Sequence, residues 1–248
     1  MTQTHRDAPA PGANGASKDS LASGPSPGPA GAAEPWRWSL NWNEIRSDLV
    51  IGSCPMSTGD LERIAAQTGV SAVLSLQSAA CRAAFAIDHK ALGAHGERLG
   101  LVMVNTPMLD FDPPDQRRNL PAAVRALTAL LASGHKIYVH CTAGFNRAPL
   151  VALAYLAFVE MIPPAEAAAF IRMSRAESAP SWEAFHGARE DLVEGLAPFI
   201  GVRAYYLHQQ NPHDTPESNW RQAEADVIRQ AFVSPRSLPA SRLDPARA

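Results

Sequence analysis

Cysteine is scarce in this chain, with three in 248 residues. A number so small and odd argues against a disulfide scaffold and for a reducing, cytoplasmic setting. No apolar run reaches the length of a bilayer span, so no membrane partner is expected. Neither sign of charge dominates: 22 basic and 24 acidic residues leave a formal net charge of −2. No Lys/Arg run exceeds two residues, which excludes an electrostatic grip on nucleic acid. The N-terminus lacks the apolar core of a signal peptide. No G-x-x-x-x-G-K-S/T is present, and no G-x-G-x-x-G follows a strand, so the common nucleotide-binding loops are absent.

What is abundant is unevenly placed. Residues 1–35 are mostly Pro, Gly, Ala and Ser with scattered charges. Such a segment buries too little surface to offset its ordering entropy, so it reads as a disordered tail. A plastid transit peptide competes with that reading. But Asp7, Asp19 and Glu34 are present and only Arg6 and Lys18 are basic, whereas transit peptides avoid acids and favour arginine. The rest divides into a main domain over 36–199 and a C-terminal helical extension over 200–248.

Within the main domain, short apolar runs at Leu49 to Gly52, Ala72 to Leu76, Leu101 to Asn105 and Lys136 to His140 read as strands. Helical patterns separate them. Ser57 or Thr58 can cap the first. A second runs from Arg82 towards Leu99, interrupted by Gly93 and Gly96. A third runs from about Asp115 to Ala132, with Val124, Leu127, Leu130 and Leu131 on one face. Three more follow near Ala148–Glu160, Pro164–Ser174 and Ser181–Leu196. The alternation predicts an α/β fold with a mostly parallel central sheet flanked by helices.

The segment that carries chemistry is His140-Cys141-Thr142-Ala143-Gly144-Phe145-Asn146-Arg147-Ala148-Pro149. It joins the last strand to an apolar helix. A loop of this length wraps its backbone around one tetrahedral oxyanion, with amides and a helix N-terminus pointing inward. The same positive field favours the thiolate of Cys141, the nucleophilic form. Arg147 grips two phosphate oxygens at once, which lysine cannot do. A buried cysteine that merely packs is the competing reading. The charge stabilisation asks for no metal and no other cofactor.

This arrangement resembles the cysteine-dependent dual-specificity phosphatases, and more narrowly the glucan phosphatases, the starch-excess and laforin-like group. CTAGFNRAP is similar to that group's loop. Asn41 to Ile64 resembles its recognition segment, and Asp110 to Leu127 its general-acid loop and following helix. The resemblance implies the dual-specificity/tyrosine phosphatase fold and hydrolysis through a phosphocysteine. It assigns Cys141 as nucleophile, Asp110 as general acid and Arg147 as phosphate ligand. Thr142, Ala143, Gly144, Phe145 and Asn146 would supply the rest of the phosphate site. Asp112 is the reserve acid, and Asp115 is expected to cap the following helix. The group has Gly where Asn146 stands, so a positive φ is expected there, Asn being the next-best residue. Ala148 replaces the Ser or Thr that generic tyrosine phosphatases place after the arginine. Ser75 stands where some plant relatives carry a redox cysteine, so that switch is absent; Cys54 and Cys81 default to structural roles.

The loop has no Lys or Arg before Arg147, which argues against polyphosphorylated inositol lipids and for one phosphate on a neutral body. Phe111 and Phe145 are candidate platforms for sugar rings, with Phe85 in the segment where relatives contact glucan; Trp38 and Trp42 read rather as anchors of the first strand. The expected substrate is phosphorylated α-glucan. The alternatives are a phosphoprotein substrate or a silent phosphate-binding adaptor. His140 is expected to fix the loop and not to move protons. The C-terminal stretch from Arg203 to Phe232 is similar to a short bacterial helical domain, and reads as two helices that cover apolar surface on the core.

Overall fold

The computed structural model describes residues 37–234; the expected tail over 1–35, and Trp36, lie outside the described residues. Strands β1 (Trp42–Arg46), β2 (Leu49–Gly52), β3 (Ala72–Gln77), β4 (Val102–Met108) and β5 (Ile137–His140) form one sheet in the order β1-β2-β5-β3-β4. β1 runs antiparallel to β2, and the remaining pairings are parallel. The helices are α1 (Thr58–Thr68), α2 (Ala79–Ala84), α3 (His89–Arg98), α4 (Pro113–Ala132), α5 (Arg147–Phe158), α6 (Pro164–Ser174), α7 (Trp182–Gln210) and α8 (Pro216–Val233). The expected helix-flanked, mostly parallel sheet is present.

Strand burial explains the order. Every residue of β2, β3 and β5 is buried, as inner parallel strands require. β4 is only partly buried along most of its length and contains the exposed Pro107, which an edge strand tolerates because one row of amides needs no partner. No apolar run marks β1, because only Ile45 in it is buried. Trp38 and Trp42 pack, partly buried, against the smaller of two apolar clusters, as strand anchors should. That cluster joins one sheet face to α1 and α3 and includes Tyr138; the larger one takes Val139 and Cys141 to the other face, with α4 to α8. The period-two alternation of β5 therefore sends His140 and Cys141 to opposite sides.

Several helix ends differ from expectation for local reasons. Ser57 caps α1 as expected, in a capping box with Asp60. The break in the second helical region falls at Phe85–Asp88, not at Gly93 or Gly96. Ala86 sits at φ 50° there, and Asp88 caps α3 through the Ala91 amide. Gly96 lies inside α3 where Met103 of β4 comes closest. Asp112, not Asp115, caps α4 by accepting from the Asp115 amide. The Asp115 carboxylate instead accepts from the Leu109 amide at 2.6 Å, so it fastens the loop ahead of the helix.

Helix α7 is one unbroken rod of 29 residues that passes through position 200 and tolerates Pro198 in its interior. Leu207 near its end, with Ile228 and Phe232 of α8, belongs to the same apolar cluster as α4 and α5. Cutting the chain after Phe199 is therefore expected to remove burial worth about 2 kcal/mol for each of these three side chains. A urea titration should show a midpoint clearly below that of the full chain; equal midpoints would contradict this packing.

Candidate active site

The parallel register sets the frame. His140 at the carboxyl end of β5 lies opposite Gly52 of β2 and Ser75 of β3, where open α/β sheets place their ligands. The loop that follows turns back sharply. Gly144 holds φ +71°, and a Cβ there would stand 2.5 Å from the Gly52 carbonyl oxygen. Only glycine satisfies both the left-handed backbone and that approach. Cys54 closes the other side, donating its amide to the Thr142 carbonyl at 3.0 Å.

Asn146 does not adopt the positive φ expected of it. It sits at φ −112° as the N-cap residue of α5, and its side chain makes no cap hydrogen bond. The side chain is instead a tie: Nδ2 donates to the Ala179 carbonyl at 2.9 Å and Oδ1 accepts from Gln116 Nε2 at 2.8 Å. The first-turn amides of α5 thus carry no competing side-chain acceptor, a condition that suits an anion.

Arg147 opens α5 and is fully buried. Its Nη1 donates to the Met108 carbonyl at 3.0 Å, at the end of β4, and reaches Cys81 Sγ at 3.3 Å; its Nη2 donates to Thr142 Oγ1 at 3.0 Å. The Asp110 carboxylate lies 2.8 Å from the same Nη2. Nε has no hydrogen-bond partner among the described residues. Burial alone would depress the guanidinium, but the Cys141 sulfur and the Asp110 carboxylate outweigh it and hold the charge above its ordinary value. The structure thus brings Asp110, Thr142 and Arg147 together. Asp112 is occupied as a helix cap, which removes it as the reserve acid. Phe111, at φ 50°, is 69% exposed and Phe145 is 37% exposed, so both present ring surface to solvent.

His140 is buried and keeps Nδ1 at 2.9 Å from the Cys141 carbonyl oxygen, as donor. Burial pushes its value down to about 4, so the ring is neutral near pH 7 and positions the loop. Cys81 is half-buried. Burial pushes its thiol up, but hydrogen bonds from Ser78 and Arg147 more than offset this, and the net shift is downward. Among the described residues, no group of three or more His, Cys, Asp or Glu side chains is placed to hold a metal ion.

Two residues that the sequence did not mark complete the geometry. Arg175, just past α6, is buried with no carboxylate on it. It donates from Nε to the Gly144 carbonyl at 2.7 Å and from Nη2 to the Ala143 carbonyl at 2.9 Å. Its remaining bonds reach Asn41 Oδ1 and Asn43 Oδ1 at 2.7 and 2.8 Å. Pulling these carbonyls outward turns the neighbouring amides inward. Gln116 on α4, also buried, spans the Leu109 carbonyl at 3.2 Å and Asn146, so it joins the Asp110 segment to the Cys141 loop. An arginine between helices and a glutamine in a first turn both read as solvated residues, and no spacing flags them.

Similarity to known proteins bears on this geometry. Residues 63–186 match the dual specificity phosphatase catalytic domain. Phosphoglucan phosphatase DSP4, amyloplastic, from Castanea sativa is 33% identical over 159 residues, covering 63% of this chain and 42% of that protein. Laforin from Mus musculus is 28% identical over 131 residues, covering 49% and 40%. The chain thus spans less than half the length of these curated relatives. Among solved structures, kinase associated phosphatase aligns at TM-score 0.52 and 18% identity, covering 64% of this chain and 96% of that one. PTPMT1 aligns at 0.50 and 21%, covering 60% and 92%. These likenesses establish the fold.

Two measurements test the loop's supports. Arg175→Met should cost about 3 kcal/mol of stability, since loop carbonyls lose charged donors. It should lower turnover of a small aryl phosphate more than it weakens folding; full activity would contradict the role. For His140, the unfolded ring titrates near 6.5 and the folded one near 4. The unfolded state therefore binds more protons between those values, and stability falls as pH drops through that window. Plots of unfolding free energy against pH should be flatter for His140→Asn than for wild type.

Proposed function

Because the chain belongs to the dual specificity phosphatase family, we propose that it hydrolyses phosphate monoesters through a phosphocysteine, and that its substrate is phosphorylated α-glucan of the glycogen or starch kind. One observation carries the chemical part. The Asp110 carboxylate sits 2.8 Å from the buried Arg147 guanidinium, so a carboxylate from the loop after β4 already occupies the place a phosphate oxygen would take.

In the first step Cys141 Sγ attacks phosphorus, the bond from phosphorus to the sugar oxygen breaks, and Asp110, displaced from Arg147 by the entering phosphate and protonated, gives that oxygen its proton. In the second step water attacks phosphorus, Asp110 takes a proton from it, and the bond to sulfur breaks, which regenerates Cys141 and releases inorganic phosphate. Arg147 Nε, with no partner among the described residues, and Nη2 give the fork that holds two equatorial oxygens. Amides of Thr142, Ala143, Gly144, Phe145 and Asn146 line the loop, turned by Arg175. No step asks for a cofactor.

The sugar polymer is supported by the loop sequence, in which Arg147 is the one Lys or Arg from Cys141 to Pro149, and by the exposed rings of Phe111 and Phe145. It is also supported by the phosphoglucan phosphatases among the relatives. No helix among the described residues is long and apolar enough to cross a membrane, and the free cysteines support a reducing, cytoplasmic setting.

Phosphate release from solubilised phosphoglucan, a phosphotyrosine peptide and a small aryl phosphate decides the matter. Wild type should prefer phosphoglucan. Cys141→Ser should abolish turnover of all three, Asp110→Asn should lower kcat about 10²- to 10⁴-fold, and Arg147→Lys about 10²-fold. A preference for peptide would replace glucan with phosphoprotein. Turnover of none, with phosphate still bound, would make the chain an adaptor.

A further inference from the structure

A cavity of about 220 Å³ lies between the sheet and α3, at the carboxyl ends of β3, β4 and β5. It is separate from the Cys141 loop, because β5 sends Cys141 to the opposite face. One wall is polar, formed by Ser75, Gln77, Asn105 and His140; the other is apolar, with Leu92 and Met103. Three groups of the polar wall have hydrogen-bonding capacity that no described residue uses. His140 donates from Nδ1 to Cys141 and keeps Nε2 as an acceptor. Asn105 donates to the Gln77 carbonyl and keeps Oδ1 as an acceptor. Ser75 Oγ accepts from the Gln77 amide and keeps its proton to donate. His140 is 3% exposed and Ser75 8%, so these are built-in, desolvated groups and not surface chance.

The charge of the site selects its ligand. The buried wall is neutral; among the described residues that line the cavity, burial holds His89 below its ordinary value and the one formal charge at neutral pH is the Glu97 carboxylate, which repels phosphates and other anions. A neutral molecule with donors and acceptors on one rim and C–H surface on the other matches the two walls, and a pyranose ring has that construction. The volume is below that of ordinary drug-sized pockets and far above that of a single water, which fits one hexose.

We propose that this cavity is a second sugar site that binds one unphosphorylated glucose unit, either free or at the end of an α-glucan chain. The choice of glucose rests on the glucan reading above; the neutral, ring-sized ligand does not. The site adjoins the reaction centre through Gln77, whose Nε2 donates to Thr142 Oγ1 at 3.4 Å, the same oxygen that receives Arg147. A chain end held here is tethered beside the loop that acts on its phosphorylated units.

Gly93 supplies the test. It lines the cavity from α3, and a Cβ built on it meets nothing within 4 Å. Gly93→Leu should fold, with a gain in helix propensity, and fill the cavity. Gly93→Ala should leave it open. Binding of methyl α-glucoside and of maltohexaose is measured by calorimetry with inorganic phosphate saturating the Cys141 loop. Wild type and Gly93→Ala should bind; Gly93→Leu should bind at least about tenfold more weakly, a loss of about 1.4 kcal/mol. All three should turn over a small aryl phosphate equally. Maltohexaose blocked at its non-reducing end separates the sources: if blocking abolishes binding the chain end is the ligand, if methyl α-glucoside binds and no hexamer does the free sugar is, and binding of the blocked hexamer overturns the proposal. Sugar binding that Gly93→Leu leaves unchanged, that phosphate abolishes, or that wild type never shows overturns the proposal. If phosphoglucan is still dephosphorylated in that case, the glucan reading stands alone. If sugar binding depends on Gly93 while phosphoglucan is untouched, the cavity stands and the glucan reading falls.

Discussion

A guanidinium with no access to water organises this molecule. Arg147 is fully buried, and a buried charge is tolerated only when its hydrogen bonds are met. The chain meets them from places distant in sequence: the carbonyl that ends β4, the hydroxyl of Thr142 and the carboxylate of Asp110. Each requires the strand ends to arrive in register. The order β2-β5-β3-β4 does this, because it sets the edge strand that leads into Asp110 on the same side of β5 as β3. Were β4 shifted by one residue, its carbonyls would point to the opposite edge and its side chains to the opposite face, and Arg147 would lose the Met108 carbonyl. Holding the arginine and building the sheet are one constraint.

A second arginine works behind the first. Arg147 meets Thr142 and Asp110, whereas Arg175 holds the same loop by two of its carbonyls. The division follows from the peptide group itself, whose N–H and C=O point opposite ways. A loop whose amides converge on an anion must splay its carbonyls, and those carbonyls need donors. Arg175 supplies them with no carboxylate of the described residues in ion-pair contact, Glu177 acting on it only at longer range, so its charge adds to the positive field of the loop. Gln116 and Asn146 perform the lateral version of this task. Their contact makes the segment before Asp110 and the Cys141 loop one hydrogen-bonded unit.

Legibility in the sequence followed these physical divisions. Inner strands showed as apolar runs because they are buried on both faces. The Cys141 loop stands out because a cysteine, a glycine turn and an arginine sit at the spacing that would surround one phosphate. Asp110 stands out through its place just past a strand end, and its carboxylate meets Arg147. What did not show was everything decided by tertiary contact. β1 holds one buried residue, so its pairing is set by β2 and not by its own pattern. The loop sequence suggests Asn146 as a substitute for a left-handed glycine, but its side chain bridges Gln116 and Ala179 instead. Gly144 alone takes the left-handed turn within the loop. Asp115 looked like a cap because it begins a helical pattern; the prolines at 113 and 114 move the helix start forward, and Asp112 takes the role.

The cysteines show how environment, and not residue type, assigns chemistry. Cys54 is buried behind the loop, where desolvation pushes its thiol up to about 12; it stays protonated and contributes its backbone amide to Thr142. Cys81 lies against Arg147, and the guanidinium together with Ser78 outweighs the cost of burial. Its sulfur therefore serves as one more acceptor for the buried arginine. Cys141 is set apart by position: it starts a loop whose carbonyls are drawn outward by Arg175 and whose arginine lies across from it. A thiol becomes a useful nucleophile for phosphorus only where the charge it attacks is also neutralised. Of the three sulfurs, only Cys141 begins the loop that supplies both the amides and the fork.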